Sequence, residues 1–461
     1  MRRLFVFLVL SAAACSTSTG TISTTSTMPP TVPSPLPSTT STTLPPIPME
    51  VQGCGAPPVT FSTLCETIEL LDEWYVNRPV DLESLANIAT TSAAEYETSE
   101  TEAPPRTFFC AIPDEAFMSL CDTLIERVNN EHLPVGDAVE IAVTSMIDLG
   151  LDPFTWYIPP ELAGGFRADG VVGGVGILLD ATDAAGSKCT RVAAVCPLRI
   201  VFVLEDNPGA DAGLQAGDVI TTIDGESVID RGLVDVATLI GGDQTGTVVL
   251  GIDRGEVALQ ITIERQELDL PTTTVDVPID SVGYLRIPDF SFEVPFLVDS
   301  SIGVLLTASP QTIVIDLRDN PGGLVDAVVS VASQFIPSGT VLNYEFPGGS
   351  SSYEASGGAP ATAARLVVLV NEGTASAAEV LAGALRDMRG ATVIGQPTYG
   401  KNAIQIPFEL RNGGEFHVAI AHWTTPSGQS VADSGLIPDR IVDFPSDLDT
   451  EQLTRFAIEN S

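Results

Sequence analysis

From residue 268 onward, short apolar runs alternate with longer stretches of helical spacing. Thr312–Leu317 and Leu366–Val370 are largely apolar, Val282–Ile287 is also strand-like, and Thr392–Ile394 is a shorter run. A strand that is apolar on consecutive residues buries both of its faces, so it belongs inside a sheet covered on two sides. The covering elements are a segment between Ile287 and Thr312, the run Leu324–Phe335 and a run that starts at Ser376. Strands and helices in alternation imply an α/β layer. A later strand is expected over Glu415–Ala421.

Two other compositions precede this layer. Residues 53–165 carry helical spacing in Thr67–Trp74, Ile125–Val128 and Val139–Leu149, and Pro153 stops the last helix before Trp156. Residues 166–267 are rich in glycine and β-branched residues. Their order is Gly173-Gly174-Val175-Gly176-Ile177, then Asn207-Pro208-Gly209-Ala210-Asp211-Ala212-Gly213-Leu214, then Gly217–Gly225, a helical stretch at Leu233–Ile240, and strands at Thr247–Asp253 and Ala258–Glu264. This series resembles a PDZ domain, which takes up an extended peptide as an added strand. The resemblance implies that the backbone N–H groups of Val175, Gly176 and Ile177 receive the peptide's terminal carboxylate.

The N-terminus reads as an export signal: Met1-Arg2-Arg3, the apolar run Leu4–Leu10, then small residues up to Cys15. Ala12-Ala13-Ala14-Cys15 resembles a bacterial lipobox, which makes Cys15 a lipidation site; ordinary signal cleavage is the other reading. Residues 16–52 are Ser, Thr and Pro in the main and form an extended tether. The layout is therefore a signal at 1–15, a tether at 16–52, a helical domain at 53–165, a PDZ-like domain at 166–267, a catalytic core at 268–445 and a tail at 446–461. Beyond Cys15, six cysteines fall into local pairs, and an oxidising compartment favours Cys54–Cys65, Cys110–Cys121 and Cys189–Cys196. Zinc is the rival reading, but no close Cys-x-x-Cys or His cluster supports it. With 21 basic and 60 acidic residues the formal charge is −39, which repels nucleic acid and anionic lipid surfaces.

Ser376 and Lys401 carry the chemistry. Ser376 opens a helix, and Ser376 with Glu379 forms a Ser-x-x-Glu capping box. A serine hydroxyl needs a base to become a nucleophile, and a lysine serves when burial lowers its pKa. Lys401 follows Thr398-Tyr399-Gly400 and precedes Ile404, Ile406 and Phe408, an apolar setting. A helix N-terminus also stabilises an oxyanion, with Ala377 N–H as one donor and Gly322, in Asn320-Pro321-Gly322-Gly323, as the second. Each feature has a plain structural reading as well: a cap, a surface lysine, a strand-to-helix turn. His417 and His422 stand at an odd offset in a strand, on opposite faces, and are read as structural.

The run Val368–Glu379, with Gly395-x-x-Thr398-Tyr399-Gly400-Lys401-x-x-x-Gln405, Asp316–Gly323, Thr425-Pro426-Ser427-Gly428 and Ile437-Pro438-Asp439, resembles the C-terminal processing (tail-specific) proteases. The resemblance runs from about residue 60 to 445 in one order. It implies a multidomain α+β chain with a helical N-terminal domain, a PDZ-like β-rich domain and a ClpP/crotonase-like α/β peptidase core. It further implies Ser376 as nucleophile, Lys401 as base, Gln405 as the residue orienting the lysine, and Ala377 and Gly322 at the oxyanion hole, with no metal or cofactor. In a flat strand residues 401 and 405 lie about 13 Å apart, so a turn or bulge between them is expected. Two departures stand out. Gly241 replaces an arginine common in relatives, and Asp152-Pro153-Phe154-Thr155-Trp156-Tyr157 replaces Asp-Pro-His-Ser-x-Tyr, a motif read here as shaping fold and not chemistry.

The expected function is an exported, membrane-anchored or secreted serine endopeptidase that cleaves proteins near their C-termini. Its partners are protein C-termini and, through a lipid anchor, a membrane, but not nucleic acid. The alternative is a non-catalytic, surface-tethered protein that binds C-terminal peptides on a protease scaffold.

Overall fold

Apolar residues at helical spacing build α1 (Ser62–Trp74), α2 (Leu82–Glu95), α3 (Met118–Asn130) and α4 (Val135–Gly150). The described residues of the computed structural model are 62–95, 115–130, 134–160, 173–183, 191–203, 207–241, 246–255, 257–267, 272–432, 434–445 and 448–461. The expected signal, Cys15, the tether, Cys54, Cys110 and Cys189 lie outside them. Cys65, Cys121 and Cys196 are each disulfide-bonded. No described helix is long and apolar enough to cross a membrane.

The helical section is not a closed unit. Leu64, Leu71, Leu120 and Met146 share one continuous core with Phe335, Phe416 and Trp423 of the later layer. Directly after α4, β1 (Trp156–Ile158) joins a strand near the far end of the chain, with Trp156 opposite His417. The expected boundary near residue 165 therefore separates stretches of sequence, not independent cores.

The next unit keeps its own core, which includes Leu198, Ile220, Val236, Val248 and Leu250. Its elements are β2 (Gly173–Gly174), β3 (Ile177–Ala181), β4 (Leu198–Val203), α5 (Pro208–Asp211), β5 (Val219–Ile223), β6 (Glu226–Ser227), α6 (Leu233–Gly241), β7 (Thr247–Arg254), β8 (Val257–Glu264) and β9 (Gln266–Glu267). The sheet runs β3-β4-β5-β7-β8, with β6 on β5 and β2 paired to β9. Among the described residues β3 is thus an edge strand, and α6 packs beside it.

The last unit contains β10 (Thr274–Ile279), β11 (Val282–Arg286), α7 (Val294–Thr307), β12 (Thr312–Asp316), α8 (Val325–Ser333), β13 (Thr340–Phe346), β14 (Gly349–Glu354), β15 (Arg365–Val370), α9 (Ala377–Arg389), β16 (Thr392–Gly395), β17 (Ala403–Glu409), β18 (Glu415–Thr424), β19 (Arg440–Ile441) and α10 (Thr450–Glu459). One sheet runs β10-β11-β12-β15-β16-β19, parallel from β11 onward. Its apolar runs split by parity. Ile313, Ile315, Val368 and Val370 face the main core, while Val314, Val367 and Leu369 face Leu453 and Ala457 of α10. Burying each such side chain contributes about 1.5–3 kcal/mol. The stretch 446–461, expected as a tail, thus ends in a helix that covers one sheet face. Asp449 caps that helix by accepting the Gln452 N–H at 2.8 Å. A second sheet joins β1, β18, β13 and β14, with β17 also on β18.

At the C-terminal ends of β11 and β12 the fully buried Asp316 accepts the Tyr284 hydroxyl at 2.7 Å and both arms of Arg318 at 2.9 and 2.8 Å. Arg286 adds a cation at 3.7 Å. These positive neighbours hold the Asp316 carboxyl below the usual carboxylate range, despite burial that pushes the other way. Arg318 in turn lies over the Phe444 ring, 4.9 Å from its centroid. Asp316→Ala strands two cations and a buried hydroxyl, so urea unfolding should show a loss of about 3–5 kcal/mol. A loss below about 1 kcal/mol would mean that this cluster does not hold the strand ends together.

Candidate active site

Three loops meet at the C-terminal edge of the parallel sheet: 317–324 after β12, 371–376 after β15 and 396–402 after β16. Parallel strands place their C-terminal ends along one edge, where such folds build their sites. The first two loops are strapped together. Thr374 donates its hydroxyl to the Leu317 carbonyl at 2.8 Å, Asp319 N–H donates to Asn371 Oδ1 at 2.8 Å, and Ala375 N–H donates to the Asn320 carbonyl at 2.9 Å. The third loop joins them where Tyr399 N–H donates to the Thr374 carbonyl at 2.9 Å.

Ser376 stands at the start of α9 with φ 52° and ψ −118°. A non-glycine residue in this region carries strain of about 1–3 kcal/mol, which persists only when its surroundings over-determine it. The restraint comes from Glu379. This carboxylate is fully buried, and its Oε2 accepts Ser376 N–H at 2.8 Å and Lys401 N–H at 2.9 Å. Oε1 accepts Gly400 N–H at 2.8 Å and the Thr398 hydroxyl. One carboxylate oxygen therefore holds the backbones of Ser376 and Lys401 together across 25 positions of sequence. Burial pushes the Glu379 carboxyl up, and its four donors pull it back.

The turn into Lys401 is fixed from both ends. Gly400 has φ 89°, and a Cβ there would lie 2.9 Å from the Val431 carbonyl oxygen, so both conformation and space require glycine. Beyond it, the Trp423 indole N–H donates to the Lys401 carbonyl at 3.0 Å, and Trp423 N–H donates to the Asn402 carbonyl at 2.9 Å. Lys401 is half-buried, and desolvation around its amine lowers its pKa to about 8, against the opposing charges of Glu379 and Asp152.

Gly322 approaches Ser376 from the first loop. Its φ is 103°, and a Cβ on it would lie 2.7 Å from Ser376 Cβ and 3.0 Å from Ala377 N. Ala377 is the first residue of α9, so its N–H is one of the groups a helix start leaves without an intrahelical partner. Gly322 N–H differs from the expectation of a ready second donor. It donates to Asn320 Oδ1 at 2.8 Å, while Asn320 Nδ2 donates to the Ile287 carbonyl at 2.8 Å.

Gln405 lies on β17, past an irregularity at which Ile404 faces Ala421 and Gln405 faces Ala419. The extra residue lies on β18, whereas 403–409 runs as one continuous strand, so the turn or bulge expected within 401–405 is not what the register shows. The Gln405 amide donates to the Phe154 carbonyl, and so ties down the segment before β1. The reading of Asp152–Tyr157 as shaping fold alone is corrected here: Asp152 acts on Lys401 electrostatically, and the Trp156 ring lies beside its amine. Sequence reasoning missed these two because the segment stands some 250 residues before the base; Trp156 at the variable place of the motif was the available signal. His417 hydrogen-bonds Glu415 at 3.1 Å and His422 bonds Asn77 at 3.0 Å. Among the described residues no group of His, Cys, Asp and Glu could hold a metal ion. In the PDZ-like unit, Val175–Ile177 leads into edge strand β3, and the Val175 carbonyl accepts Gly209 N–H at 2.7 Å.

Comparison with known proteins places this geometry. The model of Peptidase family S41 matches residues 281–442, and a PDZ domain model matches residues 199–254. A carboxyl-terminal-processing protease of Synechocystis sp. is 34% identical over 313 residues, covering 66% of this chain and 71% of the relative. A carboxy-terminal-processing protease of Bartonella bacilliformis is 30% identical over 335 residues, covering 70% and 74%. Among solved structures, the photosystem II D1 C-terminal processing protease superposes with a TM-score of 0.65 at 26% identity, covering 87% of this chain and 98% of that one. With these matches, the chain belongs to the carboxyl-terminal-processing proteases of peptidase family S41.

Proposed function

We propose that this chain is an exported serine endopeptidase that cuts protein substrates near their C-termini with a Ser376/Lys401 dyad. The observation that carries the reading is the shared Glu379 oxygen, which brings a strained serine at a helix start next to a lysine whose amine is desolvated. Neutral Lys401 removes the proton as Ser376 Oγ attacks the peptide carbonyl carbon. The oxyanion draws on Ala377 N–H, and on Gly322 N–H once the substrate oxygen displaces Asn320 Oδ1. The Lys401 ammonium then gives its proton to the leaving amine, and the acyl-enzyme is hydrolysed by water with the same lysine as base. Gln405 orients the lysine by holding the segment that bounds its pocket. No step calls for a metal or cofactor.

The PDZ unit supplies tail recognition in this reading. A substrate C-terminus adds as a strand along the β3 edge, with its carboxylate at the N–H groups of Val175, Gly176 and Ile177. Export, lipidation of Cys15 and the Ser/Thr/Pro tether set the folded body at a membrane surface outside the cytoplasm.

Ser376→Ala and Lys401→Ala should each lower kcat/KM by about 10³-fold or more with unchanged urea unfolding. Near-normal cleavage by either variant would defeat the dyad. The base works in its neutral form, so kcat/KM should rise about tenfold per pH unit at low pH and level off above about 8. A profile flat from about pH 6 to 9 would exclude Lys401 as the base. Peptides with free C-termini should be cleaved faster than their amidated forms when products are read by mass spectrometry; equal rates would remove the PDZ unit from tail recognition.

A further inference from the structure

We propose that Trp156 is a positioning residue for the base, its indole face walling the Lys401 amine off from water. The inference rests on the dyad reading and adds a residue to it. The Lys401 Nζ lies 5.3 Å from the centre of the Trp156 ring. That ring is held from behind. It stacks on His417 with centroids 4.9 Å apart and planes 17° from parallel, and the two residues are register partners of β1 and β18. The backbone leading to it is pinned on several sides. Gln405 donates to the Phe154 carbonyl, Ala419 N–H donates to Thr155 Oγ1 at 3.1 Å, and Thr155 Oγ1 donates to Asp152 Oδ2 at 3.2 Å. Asp152 N–H is in turn bound to the Tyr75 hydroxyl at 3.3 Å. The indole therefore has a fixed place against the amine.

The two carboxylates Glu379 and Asp152 both favour the Lys401 ammonium. Glu379 approaches from α9 and Asp152 from the segment before β1. Behind the ring stands His417 with its partner Glu415. The ring face also attracts a cation. Exclusion of water works the other way and is the largest influence on the amine. The wall therefore has the larger effect of the two that the indole exerts. With the ring gone, water reaches the amine while both carboxylates remain, and the ammonium is favoured.

The test reads the amine and the catalysis separately. In a Ser376→Ala background, trace acetylation of Lys401 is followed against pH by peptide mapping and mass spectrometry. Half-maximal labelling is expected near pH 8 with Trp156 present and at least about one unit higher in Trp156→Ala. In the active enzyme, Trp156→Ala should lower kcat/KM about tenfold at pH 7 and recover most of it near pH 10, whereas Trp156→Leu, which keeps apolar bulk, should hold the native profile. An unmoved labelling midpoint in a folded Trp156→Ala protein overturns the proposal. If that variant does not fold, Trp156→Gln against Trp156→Leu decides in the same way, and identical midpoints overturn it. Full activity of Lys401→Ala would instead defeat the dyad, while the labelling midpoint would still report what Trp156 does to the amine.

Discussion

The buried carboxylate of Glu379 is the interaction on which the candidate site depends. An ionised side chain without solvent is costly unless its oxygens are fully hydrogen-bonded, and this one has four donors from three places in the chain: Ser376, Thr398, and the consecutive N–H groups of Gly400 and Lys401. The same bonds that make its burial tolerable set the spacing of the Ser376 and Lys401 backbones. A Ser-x-x-Glu pattern in a solvated helix would satisfy one orphan N–H and stop there. Here the acid continues beyond the helix, and the strained backbone at Ser376 is balanced by its anchorage to the loop that carries Lys401.

Much of this was legible in the sequence because the signals are local. Apolar runs without alternation marked the two-sided strands β12 and β15, and Ser376, Gly322 and Lys401 each stand in a short motif with a mechanical reason. What was not legible depends on side chains meeting from far away. The Gln405 amide reaches the Phe154 carbonyl across 251 positions, and no spacing rule connects them. The state of Gly322 N–H turns on the rotamer of Asn320, which an Asn-Pro-Gly-Gly string does not specify. Helix α2 and the β13–β14 hairpin were also passed over. The helix is built from Ala, Thr and Ser in large part, and the hairpin has a Ser-rich second strand, so neither shows a strong apolar period.

Composition changes near residue 165, yet among the described residues the helices before that point share one core with the elements around β18. The reason is economy of burial: helices carrying one apolar stripe each must cover something, and the second sheet offers a face. The consequence is local, because the chain leaving α4 delivers Asp152 and Trp156 to Lys401. A segment that is N-terminal in sequence is thus part of the environment of a lysine near the C-terminus.

Gly241 closes α6. In this chain the same helix end is met by Arg265 from the strand side, which donates to the Ile240 carbonyl at 2.8 Å and the Leu239 carbonyl at 2.7 Å. Those carbonyls belong to the negative end of the helix, where a guanidinium is favourable and satisfies orphan acceptors. A further donation to the Thr247 carbonyl at 3.2 Å is also made within the PDZ-like unit. From the other side, α6, which flanks the β3 edge, also packs on β1, and β1 begins with Trp156.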